Sequence, residues 1–333
     1  MTAGNIAPPG TGPEPRPLLP FGKLAPILAG AAFGLLLRLV FSGDPGSRWA
    51  AMAGPFILCM PFAVGAVTVY LAERVERRSV AYYLGAPAAA CSLMVMGSLA
   101  ILIEGIICAI VIVPLFAALA AVGGLVMGLI CRATRWPRPS AYGFAVLPLL
   151  MAFALPGGPG PEHLGQVERS IVIAASPDEI WAHLHDIRNI RPDEVNGSLA
   201  YRIGVPRPLQ AVTEDTPEGR VRRIQWDKGV HFDEVIHDWD PGRHLRWTFR
   251  FAPDSIPPGA LDDHVAIGGA YFDMRDTAYT LVREGDRTRL HLRISYRLST
   301  DFNAYADLWA QALMADFAET MLALYKTRAE AAS

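Results

Sequence analysis

Charge is scarce in this chain. Only 19% of its 333 residues are charged, where a soluble protein carries about a quarter. Cysteine is absent after Cys131 and histidine is absent before His163. There is no glycine-rich phosphate loop, dinucleotide fingerprint, nucleophile elbow or zinc-type ligand spacing, which sets aside the enzyme and zinc-finger classes that such motifs carry. No basic cluster is large enough to follow a nucleic-acid backbone. What is abundant is apolar surface, with 52% of residues hydrophobic. The charge that exists is divided. Residues 1–156 hold 10 Lys/Arg and 5 Asp/Glu, while residues 157–333 hold 20 and 27. Two halves made for different solvents are expected, and the length suits about two domains.

Residues 1–20 are rich in Pro and Gly and read as a disordered cytoplasmic tail. Five apolar runs follow over 21–156: Leu24 to Phe41, Ala50 to Leu71, Ala81 to Ile103, Ile106 to Ile130 and Ala141 to Leu155. About 20 apolar residues cross a bilayer as a helix, so an all-α transmembrane bundle of about five helices is predicted. The third and fourth runs are nearly fused and must turn as a hairpin at Glu104-Gly105. Arg74, Arg77, Arg78, Arg132, Arg135 and Arg138 occupy alternate connections, and the positive-inside rule assigns these to the cytoplasm. The N-terminus is then cytoplasmic, and everything after the fifth span lies outside, in an inner or plasma membrane. A fifth run that only lay at the interface would reverse that side. Arg38 is expected to snorkel to the interface. Glu104, at the hairpin tip, reads either as a solvated turn residue or as a polar contact to the soluble domain or a ligand headgroup. Cys59, Cys91, Cys108 and Cys131 read as small apolar packers.

Residues 157–164 are a linker, after which the period of the pattern changes. Val167 to Ile173 alternate as a strand does. Ser176-Pro177-Asp178-Glu179 is a capping box that opens a helix. Strands are expected at Arg220 to Trp226, Val230 to Trp239, His244 to Phe251, Ala270 to Val282 and Arg289 to Leu298, separated by turn signals. A long amphipathic helix runs from about Phe302 to Ala331. This is an α+β order, with an antiparallel sheet wrapped on a C-terminal helix.

That order, with the opening VERSIVIAASPDEIWAHLHDI and the closing helix, resembles the SRPBCC superfamily, also called START-like or polyketide cyclase/dehydrase-like. The resemblance covers about Val167 to Glu330, within a domain expected over 165–333, and implies a helix-grip fold enclosing a mostly apolar cavity for lipids, polyketides or other hydrophobic ligands. It implies no catalytic motif, since the superfamily shares none.

Candidate residues follow from the pattern. Period 2 puts Glu234 on one face with Phe232 and Ile236, so an inward face would aim a carboxylate into the cavity and raise its pKa. Arg222 or Arg246 would be its cationic partner. Asp262, Asp263 and His264 lie in a long connection, Ala252 to Gly269, of the kind that closes over sites; an acid beside a histidine suits general acid/base work, with Asp263 and His264 the candidates. Trp226, Phe232, Glu234, Trp247, Phe249, Tyr271, Tyr296, Tyr305 and Trp309 are the expected ligand wall, around a pocket of roughly several hundred Å³. No metal ligand set and no cofactor are expected. The leading expectation is a membrane-tethered, extracytoplasmic module binding a hydrophobic small molecule or lipid. One alternative is a cyclase- or dehydratase-like enzyme on such a substrate. The other is a ligand sensor coupled to the spans.

Overall fold

The computed structural model describes residues 20–134, 141–155 and 160–332. The leader 1–19, Arg135, Arg138, linker residues 156–159 and Ser333 lie outside the described residues. The first half is helical: α1 (Pro20–Val40), a π-helical turn (Pro55–Cys59) leading directly into α2 (Met60–Glu73), α3 (Val80–Ala100), α4 (Ile106–Ala133) and α5 (Ala141–Ala154). Among the described residues, three stretches are long and apolar enough to cross a membrane: Pro55–Glu73, Val80–Ala100 and Ile106–Ala133. The apolar parts of α1 and α5, Leu24–Val40 and Gly143–Ala154, are shorter. The second run begins later than its hydropathy suggests, because Pro55 starts the helix. Proline lacks the N–H that a first-turn residue leaves unpaired anyway. Residues 42–54 form a loop instead.

Small residues bring the helices into contact. A Cβ added at Gly65 would lie 1.9 Å from the Ala120 carbonyl oxygen, and one at Gly123 would lie 2.1 Å from that of Phe62. Only glycine permits this backbone-to-backbone approach of α2 and α4. The arginine-bearing end is tied by side chains. Arg132 donates to Tyr83 Oη (3.1 Å) and to the Arg78 carbonyl (3.1 Å), and Tyr83 donates to Glu73 Oε1 (2.8 Å).

Arg38 does not snorkel. It is buried, and its guanidinium donates to Glu104 Oε1 (2.6 Å), the Phe41 carbonyl (2.9 Å) and Ser42 Oγ (3.1 Å). A partner at the α3–α4 tip, 66 positions away, replaces water as the charge's environment.

The second half contains β1 (Glu162–Ile173), α6 (Pro177–His185), β2 (Asp186–Ile187), α7 (Pro192–Val195), α8 (Leu199–Arg202), β3 (Pro208–Thr216), β4 (Gly219–Trp226), β5 (His231–Asp240), β6 (His244–Arg250), β7 (Phe272–Glu284), β8 (Arg287–Ser299) and α9 (Asn303–Ala332). The strands make one antiparallel sheet in the order β1-β8-β7-β6-β5-β4-β3-β2, and α9 packs across it. The capping box at α6 forms: Ser176 N donates to Glu179 Oε2 (2.7 Å), and Glu179 N donates to Ser176 Oγ (3.4 Å). In β8, Leu290, Leu292, Ile294, Tyr296 and Leu298 are all buried, as alternation requires. Strand β3 has no counterpart among the expected strands, and β1 begins five residues before Val167.

The two halves interlock. Ile107, the second residue of α4, is buried in the core of the sheet half, and Phe302, just before α9, packs on the core of the helical half.

Candidate functional site

Gly105 precedes α4 and has no side chain to cap it. Asp262, in the β6–β7 connection, takes that role from 154 positions away: its Oδ2 accepts from Cys108 N (3.1 Å), one of the unpaired donors of the first turn. A Cβ at position 105 would lie 1.3 Å from Asp262 Oδ1, so the approach needs glycine. Beside it, His264 Nδ1 lies 3.5 Å from Glu104 Oε2 and 3.8 Å from Cys108 Sγ. Burial pushes the Glu104 carboxyl up, but His264 and Arg38 outweigh it and hold the group below its ordinary value. Two further contacts complete the joint. Gly54 N donates to Asp301 Oδ2 (2.6 Å), and Tyr305 Oη donates to the Val111 carbonyl (2.6 Å).

Every one of these contacts falls at the same end of the helical half. Arg132 is 24 positions beyond Cys108 on α4, about 36 Å away at helical rise. The sheet half therefore sits at the end opposite Arg77, Arg78 and Arg132.

A cavity of about 180 Å³ lies in the joint, walled by both halves. Phe56, Ile57, Met94 and Phe116 line it from the helical side, and Trp309, Leu313, Met314 and Phe317 from α9. Arg38, Glu104, Cys108 and His264 form its polar corner. It is smaller than the several hundred Å³ expected, and it is displaced from the interior of the sheet half towards the helices.

A second space of about 50 Å³ lies deeper, between the sheet and α9. Glu234 is there, on the inward face, and it is paired. Arg222 Nη1 donates to Glu234 Oε2 (2.6 Å), Arg222 Nη2 donates to Tyr325 Oη (3.2 Å), and the guanidinium lies 5.3 Å from the centre of the Trp247 ring. Burial raises the Glu234 carboxyl although the Arg222 charge opposes the shift. Arg246 takes no part, since it bonds to Asp238.

The predicted wall divides between the two spaces. Phe232, Glu234, Trp247 and Phe249 line the deep one, Tyr271 and Trp309 the joint, and Trp226 both. Tyr296 and Tyr305 line neither: Tyr296 Oη donates to Asp307 (2.7 Å), and Tyr305 is used in docking. Asp263 is not the acid at the joint; its neighbour Asp262 makes the structural contact. Sequence reasoning missed Arg38, Cys108 and the whole helical wall as parts of a site, and it favoured Asp263 over Asp262 as the acid beside His264. A Glu-Gly pair at a hairpin tip opposite a loop rich in acids and histidine was the available signal.

The sequence profile of the family described as "Polyketide cyclase / dehydrase and lipid transport" matches residues 165–330. Solved structures similar to this chain include a START superfamily protein from Mycobacterium smegmatis, with 13% identity over 50% of this chain and 99% of that one and a TM-score of 0.34. An aromatase/cyclase from a Streptomyces species gives 16% identity, 50% and 94% coverage, and a TM-score of 0.31. A norcoclaurine synthase of Thalictrum flavum in complex with a transition-state analogue gives 16%, 52% and 99%, with a TM-score of 0.30. No curated protein matches the sequence.

Proposed function

Given that residues 165–330 form a START-like domain of the polyketide cyclase/dehydrase and lipid-transport family, we propose that the chain is a membrane-anchored binding protein for a hydrophobic molecule. The ligand lodges where the domain meets the helices. The observation that carries this reading is the apolar cavity walled jointly by the α4 and α9 surfaces. A void of about 150 Å³ lined by aliphatic and aromatic groups takes one benzene. A single ring or the end of an acyl chain therefore suits the joint, with the polar head of the ligand towards Arg38 and His264. In this reading the helices cross the bilayer, the end carrying Arg78 and Arg132 faces the cytoplasm, and the START-like domain is extracytoplasmic.

The bond from Arg222 to Glu234 supports a structural role for that carboxylate and weighs against the enzyme alternative. The sensor alternative has support from the joint, since anything held there touches both halves and can bias their packing.

The test is a titration of the full chain in lipid nanodiscs with an environment-sensitive fluorescent fatty acid. Saturable binding is expected, and Leu313→Trp, which fills the joint, should weaken it by about tenfold or more, a loss of about 1.4 kcal/mol. Unchanged affinity in that variant would remove the joint as the binding place. The orientation is tested by fusing, after Ser333, a reporter active only in the cytoplasm. No signal is expected, and strong activity would reverse the assigned side.

A further inference from the structure

We propose that Glu104, Cys108 and His264 bind a divalent transition-metal ion of the zinc type at the joint between the two halves. Their donor atoms, one carboxylate oxygen, one thiol sulfur and one imidazole nitrogen, all lie within 4.8 Å of one another. Zinc bonds sulfur at about 2.3 Å and nitrogen or oxygen at about 2.0–2.2 Å, so neighbouring donors around a tetrahedral ion stand about 3.3–3.7 Å apart. The Oε2–Nδ1 separation is 3.5 Å and the Nδ1–Sγ separation is 3.8 Å. These two edges come within a few tenths of an ångström of coordination geometry.

The surroundings fit a ligand set better than a simple ion pair. Glu104 divides its oxygens: Oε1 accepts from Arg38 Nε at 2.6 Å, while Oε2 is turned to His264. An outer partner on the second oxygen is how carboxylate ligands are held in place. Glu104 and Cys108 are four positions apart at the start of α4, and the Asp262 bond to Cys108 N fixes the loop that brings in His264. An ion pair between Glu104 and Arg38 has no use for a thiol, whereas a mixed carboxylate, imidazole and thiolate set is suited to zinc. With Glu104 and Cys108 ionised, their charges and that of the adjoining Asp262 carboxylate, less that of Arg38, leave −2 to meet a dication, so binding does not require removing the arginine. All three donors line the apolar cavity, so the fourth position opens on it, where water or a ligand oxygen completes the shell. No local motif announces this site, because His264 is 156 positions from Cys108.

The test uses the full chain in detergent, treated with chelator and then titrated with Co²⁺. One equivalent should bind saturably and produce the near-ultraviolet charge-transfer band of a thiolate on cobalt, and one equivalent of Zn²⁺ should abolish the band. Cys108→Ser should eliminate the band, His264→Ala should weaken Co²⁺ binding by at least about tenfold, and Cys91→Ser should leave both unchanged. If His264→Ala does not fold, the near-isosteric Cys108→Ser decides the matter. A folded wild-type protein that takes up no stoichiometric cobalt, or a thiolate band that survives Cys108→Ser, would overturn the proposal.

Discussion

The two ends of the space between sheet and long helix are built on different principles. At the deep end, Arg222, Glu234 and Tyr325 fill the interior with a bonded set and leave about 50 Å³. At the end facing the helices, another arginine–carboxylate pair, Arg38–Glu104, stands at the edge of about 180 Å³ of mostly apolar void. Both pairs are largely buried, with side-chain exposures of 5% and 8% for Arg222 and Glu234 and 8% and 15% for Arg38 and Glu104. Burial alone therefore does not separate structure from site. What separates them is the company each pair keeps. The deep pair is enclosed by its own domain. The joint pair has an imidazole, a thiol and an open volume beside it, and its two halves of wall come from different parts of the chain.

The largest effect that could break this contrast is at the deep end. Glu234→Gln should leave the Arg222 charge buried and unpaired, costing about 3–5 kcal/mol of stability. Thermal melts of the full chain measure this, and probe affinity at the joint should be unaffected in the folded fraction. Replacing both partners together, as Arg222→Met with Glu234→Leu, should recover most of the loss, because a packed apolar pair often equals a buried ion pair. A Glu234→Gln protein that melts at or above the wild type would make this end a site as well, and would restore the carboxylate as a catalytic candidate.

Much of the sheet half is legible in the sequence. The capping box at Ser176, the alternation in β5 and β8 and the helical period of α9 are local signals, and each element formed. Strand β3 is not legible, because Gln210, Thr213, Glu214 and Asp215 interrupt any apolar alternation and the strand is held by its pairing with β4. The early start of β1 is also hidden. Gly165 lies next to the linker and carries no strand signal, yet a Cβ there would lie 2.3 Å from the Tyr296 ring, so glycine lets the ring lie over the strand.

The site is legible only in fragments. Glu104 and His264 stand out separately, nothing local favours Asp262 over Asp263, and Cys108 in an apolar helix reads as packing. Their meeting depends on how one domain seats on another, and no periodicity in either segment encodes that. Arg38 teaches the same point, since a lone arginine near a helix end reads as snorkelling until its partner is brought to it.

A smaller effect sharpens the contrast from the joint side. Gly105→Ala places a methyl group where Asp262 caps α4, so the loop carrying His264 must withdraw. The loss of a cap costs on the order of 1 kcal/mol, and the local consequence should be larger than the global one. Hydrogen exchange should quicken in the amides of residues 260–267 and in the first turn of α4, with the strands around Glu234 unchanged. Exchange rates identical to wild type in the 260–267 segment would mean that the Asp262 contact does not hold the halves together.

The most direct measurement of the central claim, that the ligand is held by both halves at once, is photocrosslinking. The full chain in nanodiscs is labelled with a photoactivatable fatty acid, and the adducts are mapped by peptide mass spectrometry with and without excess unlabelled competitor. Competed adducts are expected on two segments in the same sample, one within Ile107–Phe116 of α4 and the other within Trp309–Phe317 of α9. Competed adducts confined to the deep residues Phe232, Trp247 and Phe249, with none on α4, would contradict it.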